Sequence, residues 1–140
     1  LVNDGYYNCA AFFRVVPDFV VQFGIAADPA ETAKWNTNIP DDPGSGHSNV
    51  AWTVTFATAG PDTRTSQIFI NTIDNAGLDS QGFTPFGTVT SGQNAVLNIY
   101  NPTPDSSNGC SQTLYTKLGN DWILDKYPEI TIISAESIVN

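Results

Sequence analysis

Phe12–Gly24 reads FFRVVPDFVVQFG. One cation, Arg14, stands in a run that is otherwise apolar except for Asp18 and Gln22. Two short strands are expected here, over 12–16 and 19–24, joined at Pro17-Asp18. A cation on a β-rich apolar surface is costly unless it has a partner or a task. Thr53–Asn71, TVTFATAGPDTRTSQIFIN, repeats the arrangement, with two strand-like runs around a Gly-Pro-Asp turn. Together the two stretches point to one concave site that binds an extended peptide.

Outward from these, the texture stays mostly β. Further strands are expected over 52–58, 67–72, 86–90 and 129–134, separated by Gly, Pro, Asn and Asp clusters. The alternation in Trp52–Phe56 implies one buried and one solvated face. Helix signals are few. Asp28 before Pro29 and Glu31 reads as an N-cap with a first-turn proline, and the helix is short because Pro40 and Pro43 follow. Gln93–Tyr100 is a second short helix stopped by Asn101-Pro102, and 113–125 a third, interrupted at Gly119-Asn120. Residues 38–49 and 101–111 read as loops. The tryptophans Trp35, Trp52 and Trp122 read as packing or surface residues. Residues 1–140 form one domain, long enough for a real core.

Composition narrows the function. The formal net charge is −9, from 14 acidic and 5 basic residues. Nucleic acid and anionic membrane surfaces both call for a basic face, so neither is an expected partner. No apolar run approaches the roughly 18 residues of a membrane span. Cys9 and Cys110 sit beside small polar residues and are read as a disulfide, which tilts the compartment toward a secretory or extracellular one; the alternative is two unrelated free thiols. Two cysteines and one histidine cannot furnish the usual four-ligand zinc site. His47 lies in a polar loop, GSGHSN, a poor setting for a catalytic base. Asp41 and Asp42 read as turn residues rather than as a glycosidase pair. No phosphate-binding glycine loop is present.

What remains is chemistry that needs no nucleophile, metal or cofactor. Rotation about an Xaa-Pro bond is such a reaction. Its barrier of about 18–20 kcal/mol is amide resonance. As that resonance is lost, the prolyl nitrogen gains a lone pair. A positioned arginine can hydrogen-bond to it only in the twisted state.

The chain resembles the cyclophilins, the peptidyl-prolyl cis-trans isomerases, on three motifs in family order. FFRVVPDFVVQFG is similar to their FxRxxPxFxxQxG signature, ATAGPDTRTSQIFIN to their second, and LDSQGFTPFGTVTSG to the third. The resemblance runs from about Gly5 to the end. It implies a mostly-β, antiparallel barrel with a few short helices, and isomerisation of Xaa-Pro bonds in peptides and unfolded proteins. Arg14 matches the catalytic arginine, Gln22 the glutamine that orients it, and Phe19 and Phe69 the aromatics of the proline pocket. Leu78 matches the aliphatic wall, and Val20 replaces a pocket methionine. Ala57, Thr58 and Ala59 match the segment that pairs with bound peptide, and Gln67 borders the neighbouring subsite. Phe83 stands nearest to the family's pocket histidine. The alternative is a cyclophilin-fold module that grips Pro-containing segments and catalyses poorly.

There are departures. Ile68 replaces one Phe of the second signature, at a position that should face the core. Gly77 stands where the best-known members place a tryptophan that contacts cyclosporin, which puts tight binding of that ligand in doubt. The family places two strands and a helix before its arginine motif, whereas 13 residues precede Arg14 here. The expectation is a fragment whose missing N-terminal part remains bound as a separate segment and completes the barrel.

Overall fold

The computed structural model describes residues 1–42, 44 and 46–139, so Pro43 lies outside the described residues. The strands are β1 (Arg14–Val16), β2 (Val20–Phe23), β3 (Thr53–Phe56), β4 (Ile68–Asn71) and β5 (Pro85–Thr88). They form a five-stranded antiparallel sheet of order β1-β2-β4-β3-β5. Among the described residues no ladder joins β1 to β5, so the strands trace an open arc of the antiparallel barrel. The helices are α1 (Pro29–Trp35), α2 (Gln93–Leu97) and α3 (Gln112–Lys126). The mostly-β expectation with a few short helices holds.

Local chemistry explains the elements. Phe19 N donates to Val16 O at 3.1 Å across Pro17-Asp18. Asp18 has φ 54°, so the turn carries a left-handed third residue behind a proline, a type II geometry. Asp28 caps α1 by accepting from Ala30 N at 2.8 Å, and Pro29 needs no donor at the first position. The break expected in the last helix is at Gly119, whose backbone leaves helical geometry at φ 62°, ψ −150°. A Cβ there would sit 2.3 Å from Ala27 O and 2.7 Å from Pro29 Cδ. The close approach lets Asn120 N donate to Ala27 O at 2.9 Å and binds α3 to the start of α1.

The ladder fixes which side chains share a face. Arg14 lies opposite Gln22, Gln22 opposite Phe69, and Phe69 opposite Thr55. One row of side chains therefore crosses four strands. A parallel row holds Val20 opposite Asn71, with Thr53 bonded to Asn71. On β3 the buried face is the threonine face: Thr53 and Thr55 are buried, while Val54 and Phe56 are half-buried. The threonines face a buried amide network, whereas Phe56 stacks on exposed Phe86 with centroids 4.7 Å apart. The apolar core has two parts. Ala11, Phe13, Ile25, Cys110, Tyr115, Ile123 and Ile130 form one, with Trp122 packed on it. Tyr6, Tyr7, Ala26 and Ile68 form the other, covered by Phe23, Trp35 and Phe56.

Two expectations are corrected. Residues 129–134 do not form a strand; one bridge joins Ile132 to Ala11, flanked by Phe12 N→Thr131 O at 3.0 Å and Ile133 N→Ala10 O at 2.9 Å. The run pairs with the irregular stretch 10–12 rather than with a strand of the sheet, and its Ile132 is exposed. Ahead of β5 the chain forms a 3-10 helix, Ala76–Gln81, closed by Gly82. No disulfide links Cys9 and Cys110: both are free, Cys9 exposed and Cys110 buried in the core. The cysteines thus carry no argument for an oxidising compartment. Burial pushes the Cys110 thiol up to about 11. At pH 8 an aromatic disulfide reagent should label one thiol, Cys9, rapidly in the native protein and the second only on unfolding. Two fast equivalents, or none, would contradict this arrangement.

Candidate active site

The row across the sheet opens into a cavity of about 380 Å³. Arg14, Gln22 and Phe69 reach it from β1, β2 and β4; Phe19 and Val20 come from the β1–β2 turn and the start of β2. Leu78, from the 3-10 helix, and Phe83 form the opposite wall, and Ala57 and Thr58 one rim. Phe83 packs edge-on against Phe69, centroids 5.7 Å apart. A second cavity of about 210 Å³ adjoins it, lined by Ala59, Thr63, Thr65 and Gln67 and sharing Gln22, Ala57, Thr58 and Gln112 with the first. Every residue singled out from the sequence for the peptide site therefore lies on one of two connected hollows.

Arg14 is held by neutral groups. Its Nε donates to Ser107 O at 2.7 Å and its Nη1 to Gln22 Oε1 at 3.0 Å. The guanidinium carbon lies 5.8 Å from the centre of the Phe19 ring. Among the described residues no carboxylate pairs with it. Burial pulls its pKa below the ordinary arginine value, the sign of a cation partly stripped of water. Gln22 is buried, and because its oxygen is taken by Arg14, its Nε2 donates to Gln67 Oε1 at 2.9 Å. The relay Arg14–Gln22–Gln67 links the two hollows.

The segment 57–59 is closed on itself. Ala57 N donates to Gln67 O at 2.9 Å, prolonging the β3–β4 ladder, and Ala59 N donates to Thr63 Oγ1 at 2.8 Å. Thr58 Oγ1 lies 2.9 Å from Thr63 Oγ1 and bonds Gly60 O. Asp41 and Asp42 are accounted for by Arg64, whose Nε and Nη1 lie 3.2 and 2.9 Å from their carboxylates. They hold a loop and lie outside both hollows.

Sequence reasoning missed Gln81, Asn108 and Gln112 in the lining, and the Ser107 carbonyl that holds Arg14. The stretch 101–112 shows no periodicity or motif. Its one trace is the turn dipeptide Asn108-Gly109.

A family model described as cyclophilin type peptidyl-prolyl cis-trans isomerase/CLD matches residues 1–117. The chain belongs to the cyclophilin family. Among curated cyclophilins it resembles, peptidyl-prolyl cis-trans isomerase A of Dickeya dadantii is 38% identical over 103 residues, 70% of this chain and 54% of that one. A peptidyl-prolyl cis-trans isomerase of Acinetobacter baylyi is 33% identical over 118 residues, 81% of this chain and 62% of that one. The chain thus spans between half and two thirds of the length of these relatives. A Cryptosporidium parvum cyclophilin crystallised in the presence of the dipeptide ala-pro shares the fold, with TM-score 0.60 at 24% identity, covering 80% of this chain and 73% of that one.

Proposed function

We propose that the chain catalyses cis–trans isomerisation of Xaa-Pro bonds in peptides and unfolded proteins, without a cofactor. One observation carries this reading: a guanidinium with no carboxylate partner among the described residues shares a cavity with Phe19, Phe69 and Leu78. A proline ring enters the apolar hollow. The residues before it lie along Ala57–Ala59, meeting the segment's carbonyls, since the N–H groups of Ala57 and Ala59 are already used. With one side of the amide fixed, the other turns. Arg14 donates to the prolyl nitrogen as its lone pair appears, and Gln22 and Ser107 keep the guanidinium in plane. A charged hydrogen bond of this kind contributes about 1.5–3 kcal/mol.

A protease-coupled assay on an Ala-Ala-Pro-Phe anilide tests it. The expected result is a cis-to-trans phase that speeds up in proportion to enzyme concentration. A phase that stays at the uncatalysed rate of tens of seconds or longer removes the reading.

We also propose as a partner a separate segment that supplies the family's two leading strands and pairs with the far edge of the sheet. β5 ends the sheet order, and Phe86 on it is 56% exposed. An added strand there would cover both an edge and the Phe56–Phe86 stack.

A further inference from the structure

The walls of the cavity come from separate stretches of chain, and one buried amide network ties them. Asn49 is fully buried although it lies in a loop ahead of β3. Its Nδ2 donates to Phe83 O at 2.8 Å and to Asp79 Oδ1 at 2.7 Å. Its backbone N–H reaches the same carboxylate oxygen at 2.9 Å, and Ser48 Oγ donates to the other at 2.5 Å. Asn49 Oδ1 accepts from Thr55 Oγ1 at 2.8 Å and from Asn71 Nδ2 at 3.2 Å. Asn75 closes the circuit. Its N–H donates to Asn49 O at 2.7 Å, and its Nδ2 to Asn71 Oδ1 at 2.8 Å and Phe19 O at 3.0 Å.

Phe19 and Phe83 are thus each held by their own carbonyl, and Leu78 by the residue that follows it. Leu78 lies in the 3-10 helix and Phe83 just after its Gly82 cap, both outside the sheet, so strand pairing does not place them. Buried amides hold their partners tightly because a donor left without an acceptor has given up its water for nothing in return. The Asp79 carboxylate, exposed on its outer side, accepts three hydrogen bonds that keep its pKa below the usual carboxylate range.

We propose that Asp79 and Asn49 are positioning residues that hold Leu78 and Phe83 at the right distance from Phe69, so that the proline pocket is preformed before peptide binds. This rests on the proline-pocket reading. Preorganisation of this kind shows in binding, because a wall that must be ordered at the moment of encounter weakens affinity. Asp79 lies outside the lining of both hollows, so its effect passes through Leu78 and Phe83.

The test combines calorimetric binding of Ala-Ala-Pro-Phe anilide with kcat and KM for the same peptide. Asp79→Ala should raise Kd and KM about tenfold, with kcat within about threefold. Asp79→Asn, which keeps an acceptor for Asn49 and a donor for Ser48, should restore both to within about twofold. In a Leu78→Ala/Phe83→Ala background the wall is gone, and adding Asp79→Ala should leave Kd unchanged. A merely structural role would lower the melting temperature and leave Kd of the folded protein as it was. Should Asp79→Ala fail to fold, Ser48→Ala removes one of the three bonds and should raise Kd about two- to threefold. An unchanged Kd in the folded variant, or an Asp79 effect that persists in the wall-less background, overturns the proposal while the isomerase reading stands. A wild-type chain that neither binds nor turns over the peptide overturns both.

Discussion

Arg14→Ala should lower kcat for a proline tetrapeptide by about ten- to a hundredfold, the rate equivalent of one charged hydrogen bond made in the transition state. KM should change little, because the planar amide offers the guanidinium no lone pair and the ring is held by Phe19, Phe69 and Leu78. Arg14→Lys should recover only a small part. An ammonium cannot hold the Ser107 carbonyl and the Gln22 oxygen, 2.7 and 3.0 Å from two different guanidinium nitrogens, and still present a donor to the pocket. Stability points the other way from activity. The side chain is desolvated and has no carboxylate partner among the described residues, so removing it relieves a burial penalty. It also leaves the buried Gln22 oxygen without that donor, so the net change should stay within about 1 kcal/mol. Coupled-protease kinetics and a melting curve on the same sample separate the two effects. Full turnover in Arg14→Ala would show that the rate comes from the pocket alone.

How far the sequence could be read follows from what each feature depends on. The strands at Arg14–Val16 and Val20–Phe23 were legible because β-branched runs flank a Pro-Asp turn, a purely local signal. The α1 cap and the Gly119 break were legible for the same reason. The face of β3 was not. Alternation shows that two faces differ, but not that the threonine face goes inside, because its burial depends on Asn49 and Asn71 reaching Thr55 and Thr53. The resemblance placed Arg14, Gln22 and Phe69 together, and their opposition across β1, β2 and β4 gives that grouping its geometry. Ser107 escaped because it acts through its carbonyl, which every residue has. Asn49 escaped because its partners lie as many as 34 residues away. The disulfide failed because two loop-like contexts say nothing about whether one thiol ends in a core.

Gly109→Ala should destabilise the fold strongly and slow turnover with it. Gly109 has φ +76°, and a Cβ there would lie 2.6 Å from Arg14 Cβ, 2.7 Å from Phe13 O and 2.9 Å from Arg14 Cα. The loop touches β1 at this point: Cys110 N donates to Phe13 O at 2.8 Å, and Ser107 O accepts from Arg14 Nε at 2.7 Å. A methyl group must push loop and strand apart, straining both bonds and moving Arg14 off its position. The expected loss is about 2–4 kcal/mol of stability, from overpacking plus left-handed backbone strain. A severalfold fall in kcat per folded molecule should accompany it. Gly92→Ala is the control. Its φ is +82°, but nothing lies within 4 Å of its Cβ, so it bears only the backbone strain of about 1 kcal/mol. Chemical denaturation of the two variants isolates the contact term, since both share the same dihedral penalty. Equal losses would mean that the packing of Gly109 against β1 does not hold the strand, and that Arg14 is placed by the sheet ladder alone.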